Sequence, residues 1–238
     1  MKFQCQKCGE CCKNYERIEG GGVHLFEWEK NKLEQHAKTL GINLELQPFS
    51  IFKVGKVYVA YHYIIKNACP FFEDNSCMIY NNRPSTCKTF PINFFMYDPI
   101  ENIFRFEFVP GCTAFDKSLK KELLEKQDDA KEHLKILRDY FGKEIVLSAY
   151  QNQHTINKFG YILKFKLNAG ELIQYSNIPK EEREKLTIYP LFTFCKKNNI
   201  LSRTQIKSII EEHNNLEDVK DFSKTLDLLD VDLNEFMH

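Results

Sequence analysis

The sequence predicts an α+β fold, with a small cysteine-rich α+β domain at residues 1–115 and a mostly helical C-terminal region at residues 116–238. Three observations support this class. Short segments with alternating apolar residues, typical of strands with one buried face, occur in the first half. Apolar residues recur at helical spacing in the second half. Eight of the nine cysteines precede residue 113, which sets the first half apart.

One helix and two hairpins are predicted in the first half. Residues 26–40 carry one apolar stripe, and Gly41 is placed to end this helix. Residues 49–65 are rich in Val, Ile, Phe and Tyr and are broken by Gly55, which predicts a hairpin. A second strand pair is expected at residues 92–109, around an Asp-Pro turn. The apolar stripe of the helix consists of Phe26, Leu33, Ala37 and Leu40.

Three further helices are predicted beyond residue 116. Apolar residues spaced by three, four and seven run from 119 to 141, and Asp116 is the candidate N-cap. The motif Ser202-x-x-Gln205 is a capping box that opens a second helix. Apolar residues between 216 and 236 mark the last helix. The segment YILKFKL fits either a strand or a buried helix, so its conformation stays open.

The charge and hydropathy patterns exclude whole classes of partner. Lys+Arg and Asp+Glu balance at 33 each, so no basic field would attract nucleic acid or anionic lipid. No run of about 18 apolar residues occurs, so no membrane span is predicted. The opening MKFQCQKCGECC has no apolar h-region and no cleavage site. We therefore expect a cytoplasmic protein whose thiols stay reduced.

The cysteines form two blocks that predict a metal site. The first block is Cys5-x2-Cys8-x2-Cys11-Cys12, and the second contains three more cysteines between residues 69 and 87. Dense thiols in a reducing compartment, in an odd number, favour a soft metal over disulfides. The predicted ligands are Cys5, Cys8, Cys11, Cys12, Cys69, Cys77, Cys87 and Cys112.

The nature of the metal centre stays open at this point. Side chains of adjacent residues on an extended chain point apart, so Cys11 and Cys12 are poorly placed to share one ion. Two four-thiolate centres, of zinc or iron–sulfur type, fit this pattern, and so does one cluster with spare cysteines. The adjacent cysteines and the excess of ligands favour an iron–sulfur cluster over a single zinc ion.

Several other residues have both a structural and a functional interpretation. Arg83 and Lys88 lie beside cysteines and could offset thiolate charge, but Arg83 equally fits an ion pair or a backbone cap. Cys195 lies in the apolar run LFTFC and is expected to be a core thiol. His62 alternates within a strand and is expected to be structural.

The two cysteine blocks resemble the CxxCxxCC family of zinc- or iron-chelating domains. The run from Phe3 to Cys12 matches F-x-C-x-x-C-G-x-C-C. The run from Cys69 to Pro91 matches C-P-F-(L/F)…C-x-I-Y…R-P-x-x-C-(R/K)-x-F-P, with lysine where the family usually has arginine. Cys112 resembles the family's last cysteine. The resemblance covers residues 1–115.

The resemblance implies a metal site and leaves several functions open. Some members of the family are flagellin lysine N-methylases, so methyl transfer from S-adenosylmethionine to a protein substrate is one implied activity. Metal-centred redox chemistry is another. A zinc-stapled module that presents its helical half to a protein partner is a third, non-enzymatic possibility.

Overall fold

The computed structural model combines helices with sheets, which confirms the predicted α+β class. It describes residues 3–6, 8–13, 23–108, 112, 118–119, 121–122, 129–215 and 220–232. The helices are α1 Glu10–Lys13, α2 Glu27–Leu40, α3 Ser85–Thr89, α4 Ala130–Phe141, α5 Lys143–Tyr161, α6 Lys180–Arg183, α7 Leu191–Lys197, α8 Arg203–Asn214 and α9 Lys220–Leu228. The strands are β1 His24–Leu25, β2 Leu46–Val54, β3 Val57–Ile65, β4 Phe72–Glu73, β5 Ser76–Cys77, β6 Ile92–Asp98, β7 Ile103–Phe108, β8 Leu172–Gln174 and β9 Ile188–Pro190.

The chain divides into two compact units, each built from separate stretches of sequence. The first unit comprises Met1–Glu10, Ser85–Thr155 and Glu212–His238. The second unit comprises Cys11–Pro84 and Ile156–Glu211. The boundary predicted between residues 115 and 116 falls outside the described residues, so it stays a prediction.

A sheet forms the frame of the second unit. Its strand order is β1-β3-β2-β8, and β9 pairs in parallel with β3. The predicted hairpin is confirmed: β2 and β3 are antiparallel, and Gly55 adopts a φ of +60° in the turn. The predicted helix α2 is also confirmed, and it ends at Gly41 with a φ of +67°.

The core of the second unit is rich in aromatic side chains. Trp28 stacks on Phe26 with 4.6 Å between ring centroids and on Phe192 at 5.4 Å. Phe159 lies 5.7 Å from Phe26 and is 1% exposed. Burying such large rings supplies most of the apolar area that stabilises a core of this size. Leu40, which was expected on the buried stripe of α2, is exposed, and Trp28 is buried on that helix instead.

A hairpin and helices make up the first unit. Strands β6 and β7 pair antiparallel, as predicted. Oδ1 of Asp98 accepts hydrogen bonds from the backbone N–H groups of Ile100 and Glu101, which fixes the turn between these strands. Phe95 of this hairpin, together with Leu137 and Phe222 from helices, belongs to the core of the unit.

The predicted helix over residues 119–141 is interrupted, which corrects the sequence interpretation. Helix α4 begins at Ala130, and Asp129 is extended, with a φ of −124° and a ψ of 98°. Oδ1 of Asp129 accepts from the backbone N–H of Glu132 at 3.1 Å and so caps α4. Apolar spacing cannot reveal this break, because the periodicity continues through it. The candidate N-cap Asp116 lies outside the described residues.

Of the other helices of the second half, α8 and α9 were predicted from the sequence, whereas α5, α6 and α7 were not. YILKFKL is helical: α5 continues into a π-helical turn at Ile162–Lys166. The predicted capping box is confirmed, because the Ser202 N–H donates to Gln205 and the Gln205 N–H donates to the Ser202 hydroxyl. The last predicted helix is present as α9, and residues 216–219 and 233–236 lie outside the described residues.

Candidate metal centre

A short helical turn brings two adjacent thiols together. Cys11 and Cys12 lie on α1, and their Sγ atoms are 3.9 Å apart. This distance exceeds a disulfide bond of about 2.05 Å but is close enough for both sulfurs to bind one ion. Gly9, with a φ of +75°, lets the chain turn just before this helix. The expectation that the two side chains point apart assumed an extended chain. The chain is helical at these residues, so that expectation is wrong.

Within the second unit, a backbone contact joins the end of the first cysteine block to the start of the second. The backbone N–H of Cys69 donates to the carbonyl of Cys12 at 2.7 Å. A short hydrogen bond of this kind fixes two backbone segments that are distant in sequence against each other. The structure therefore connects the two blocks that the sequence predicts to form one region.

Cys77 is positioned by a small hairpin that follows Cys69. Strand β4 pairs with β5, which places Phe72 opposite Cys77. The backbone N–H of Phe72 donates to the carbonyl of Cys69 at 3.2 Å, and that of Met78 donates to Phe71 at 2.9 Å. Phe71 is fully buried and anchors this loop in the unit. Cys69 and Cys77 are thus held on one ordered loop.

The other four predicted ligands belong to the first unit. Cys5 and Cys8 are exposed, Cys87 is half-buried on α3, and Cys112 is half-buried after β7. The N-terminal segment is attached to this unit by Phe3, whose N–H donates to the carbonyl of Tyr140 at 2.7 Å. Six of the eight predicted ligands are therefore half-buried and two are exposed.

Two cations of the second unit lie on aromatic rings next to its cysteines. The Arg83 guanidinium carbon is 3.7 Å from the Tyr80 ring centroid, and Arg83 Nε donates to the Tyr80 carbonyl at 2.9 Å. The backbone-cap interpretation of Arg83 is therefore confirmed. Lys13 Nζ lies 4.9 Å from the ring centroid of Phe72. Lys13 was not predicted from the sequence, although its position directly after Cys12 was a usable signal.

The donor set fits a thiophilic metal, although the described arrangement is only partly assembled. Among the described residues, no group of three or more His, Cys, Asp or Glu side chains stands at metal-binding distances. A tetrahedral ion with bonds of about 2.3 Å separates its sulfur ligands by about 3.8 Å. The Cys11–Cys12 pair, at 3.9 Å, matches that separation. Thiols of this kind are suited to zinc and iron.

Cys195 differs from the predicted ligands, as expected from its apolar sequence context. It is fully buried in the aromatic core of the second unit. Burial raises the pKa of its thiol to about 11. A thiol that resists deprotonation is a poor nucleophile and a poor metal ligand.

The comparisons with known proteins place the chain in a family. Residues 4–129, just over half of the chain, match the model of the CxxCxxCC family, described as a "Putative zinc- or iron-chelating domain". The chain belongs to this family. No curated protein and no solved structure matches the chain. No helix in the described part of the chain is long and apolar enough to cross a membrane.

Proposed function

We propose that this protein binds zinc or iron through its cysteine thiolates and that the metal cross-links its cysteine-bearing segments. The observation that carries the proposal is the hydrogen bond from Cys69 to Cys12, which joins the two cysteine blocks. Membership of a chelating family supports the same function. The proposed ligands are Cys5, Cys8, Cys11, Cys12, Cys69, Cys77, Cys87 and Cys112.

The role we assign to the metal is first structural. A four-thiolate zinc ion is a closed cross-link, whereas an iron–sulfur cluster would also supply electron transfer. In either case the binding free energy adds to the folding free energy, because the unfolded chain has no preformed site. The helical turn that carries Cys12 has no buried residue, so it has little apolar burial of its own to stabilise it.

Residues of the second unit would also balance the charge of the metal centre. Four thiolates around a divalent ion carry a net charge of about −2. Lys13 and Arg83 supply positive charge on the same stretches of chain as Cys12 and Cys77. Their aromatic contacts with Phe72 and Tyr80 restrict where these charges can move. We propose that both cations offset part of the negative charge of the metal-bound thiolates.

Metal analysis of anaerobically purified protein, with an absorption spectrum of the same sample, tests the proposal. Iron with acid-labile sulfide and a band near 400 nm, roughly where thiolate-ligated clusters absorb, would identify a cluster. Colourless protein with stoichiometric zinc would identify a structural zinc protein. Folded protein without metal would contradict the proposed function.

Single substitutions then test the ligands. We expect Cys8→Ser and Cys77→Ser to lower the metal content and the stability together, because each removes one thiolate. Cys195→Ala is the matched control, since Cys195 is fully buried in the aromatic core. Full metal content in both serine variants would remove these residues from the ligand set.

A further inference from the structure

Two exposed aromatic rings lie against each other at the end of α5, within the second unit. The ring centroids of Tyr161 and Phe165 are 4.9 Å apart, and the two residues are 58% and 66% exposed. Of the phenylalanines whose side chains the structure describes, Phe165 alone is exposed. Scattered apolar residues are ordinary on protein surfaces, whereas adjoining aromatic rings are typical of places where another protein binds.

The two rings are presented by a segment that is anchored in the core. Ile162 and Leu163, which lie between them in the chain, are 5% and 1% exposed and belong to the aromatic core of the unit. The backbone N–H of Leu167 donates to the carbonyl of Ile162 at 3.1 Å, which makes this turn π-helical. Turns of this kind are frequent at functional sites. The exposed rings therefore lie on an ordered helical element that the core holds in place.

The same segment is locally basic, although the whole chain is balanced at 33 residues of each sign. Residues 156–170 contain Lys158, Lys164 and Lys166 and no aspartate or glutamate. Lys164 and Lys166 are exposed on either side of Phe165 in the chain, and Lys164 Nζ lies 5.7 Å from the Phe165 ring centroid. Positive charge beside an apolar centre is complementary to a partner that combines acidic with apolar side chains.

We infer that Tyr161, Lys164, Phe165 and Lys166 form a docking surface for an acidic segment of a partner protein. An aliphatic or aromatic side chain of that segment lies on the two rings, because covering them removes apolar area from water. Aspartate or glutamate side chains of the segment pair with the two lysines, which orients it. Two rings are too small an apolar area to hold a protein on a bilayer. The inference is separate from the proposed metal binding.

Selection from a library of random peptides displayed on phage, with the full-length protein as target, tests the inference. We expect the enriched peptides to combine aspartate or glutamate with aliphatic or aromatic residues. Phe165→Ala should weaken the binding of an enriched peptide by about tenfold or more, as for a residue at the centre of an interface. Three results would overturn the inference: no enriched peptide, enriched peptides without acidic residues, or equal binding to Phe165→Ala.

Charge reversal tests the contribution of the lysines. Lys164→Glu combined with Lys166→Glu should weaken the same peptides, and a new selection on that variant should favour basic peptides. Lys185→Glu is the matched control, since Lys185 is an exposed lysine elsewhere in the second unit, and it should bind as the unsubstituted protein does. Equal weakening by the control would show a general effect of charge and overturn the inference.

Two measurements on the unsubstituted protein remain decisive if a variant fails to fold. Binding of an enriched peptide should weaken as the salt concentration rises, because salt screens exposed charges. Binding that does not change with salt would overturn the inference. Sedimentation with phosphatidylserine vesicles should leave the protein in the supernatant, and its recovery with the vesicles would assign the surface to a membrane instead. Neither outcome bears on the metal content, so the proposed function stands or fails separately.

Discussion

The second unit contains cysteines in two contrasting environments, a half-buried adjacent pair and a dry core. Cys11 and Cys12 are half-buried on a four-residue helix with their sulfurs 3.9 Å apart. Cys195 is fully buried among aromatic rings, and burial raises its pKa to about 11. The same side chain is thus available to a metal in one place and is an apolar packing group in the other. What separates the two roles is solvent exposure and the presence of neighbouring thiols.

This contrast predicts that the two regions derive stability from different sources. The core around Trp28 and Phe159 is stabilised by the burial of apolar area, which needs no ligand. The segment around Cys11 and Cys12 is short and has no residue in that core. We therefore expect metal removal to lower stability through the cysteine segments, and core substitutions to lower it without loss of metal.

The largest expected effect comes from the core. Phe159→Ala should lower the free energy of unfolding by about 3–5 kcal/mol, because it leaves a cavity among the rings of Phe26, Trp28 and Phe192. Chemical denaturation followed by the fluorescence of Trp28, the single tryptophan, measures this change. The metal content per folded chain should stay the same.

Phe165→Ala is the matched control for this substitution. Phe165 is 66% exposed, so its removal should change the free energy of unfolding by less than about 0.5 kcal/mol. Phe159→Ala could instead lose metal under conditions where all of the protein is folded. That result would show that the core and the cysteine segments form one cooperative element, and it would contradict separate sources of stability.

The pH dependence of stability should also originate in the core. Burial, with a smaller effect from the charge of His24, lowers the pKa of His62 from 6.5 to about 3. Between pH 6.5 and pH 3, His62 is protonated in the unfolded chain and neutral in the folded chain. The free energy of unfolding therefore keeps its full value above pH 6.5. It decreases as the pH falls toward 3, by about 1.4 kcal/mol per pH unit.

Denaturation of His62→Gln between pH 7 and pH 5 tests this slope. We expect a shallower pH dependence than in the unsubstituted protein, because the buried imidazole is gone. His36→Gln, on the half-buried surface of α2, is the control and should keep the original slope. Equal slopes in all three proteins would assign the acid sensitivity to other groups.

The smallest of these effects concerns a carboxylate that joins distant parts of the second unit. Glu27 accepts hydrogen bonds from the Phe192 N–H at 2.6 Å and from the Thr193 hydroxyl at 2.9 Å, which caps α7. Glu27→Ala should cost about 1–2 kcal/mol, the usual range for losing a cap. Glu34→Ala, on the same helix, removes only an exposed pair with Lys30 and should cost at most about 0.5 kcal/mol. If denaturation showed the same loss in free energy of unfolding for both variants, Glu27 would not cap α7.

Local patterns predicted helices α2, α4, α8 and α9 and the hairpins β2–β3 and β6–β7, but not helix α5 or the short strands. The Gly55 hairpin and the Ser202-x-x-Gln205 capping box depend on turn and cap chemistry within a few residues, so the sequence is sufficient for them. The break at Asp129 was missed, because apolar spacing continues across it and only the cap hydrogen bond marks it. The cap of α7 by Glu27 was also missed, since the two lie far apart in sequence.

The sequence by itself determined the chemistry of this protein: eight clustered cysteines, the family to which they belong, and the apolar context that sets Cys195 apart. Residue type and spacing are sufficient for those conclusions, because the preference of a thiolate for soft metals is a property of sulfur itself. Only the tertiary structure decided that Cys11 and Cys12 lie on a helical turn and that Cys69 is hydrogen-bonded to Cys12. The hydrogen bond from Cys69 depends on how distant segments pack. A four-residue helix is too short to be stable by itself, so its own sequence does not specify it.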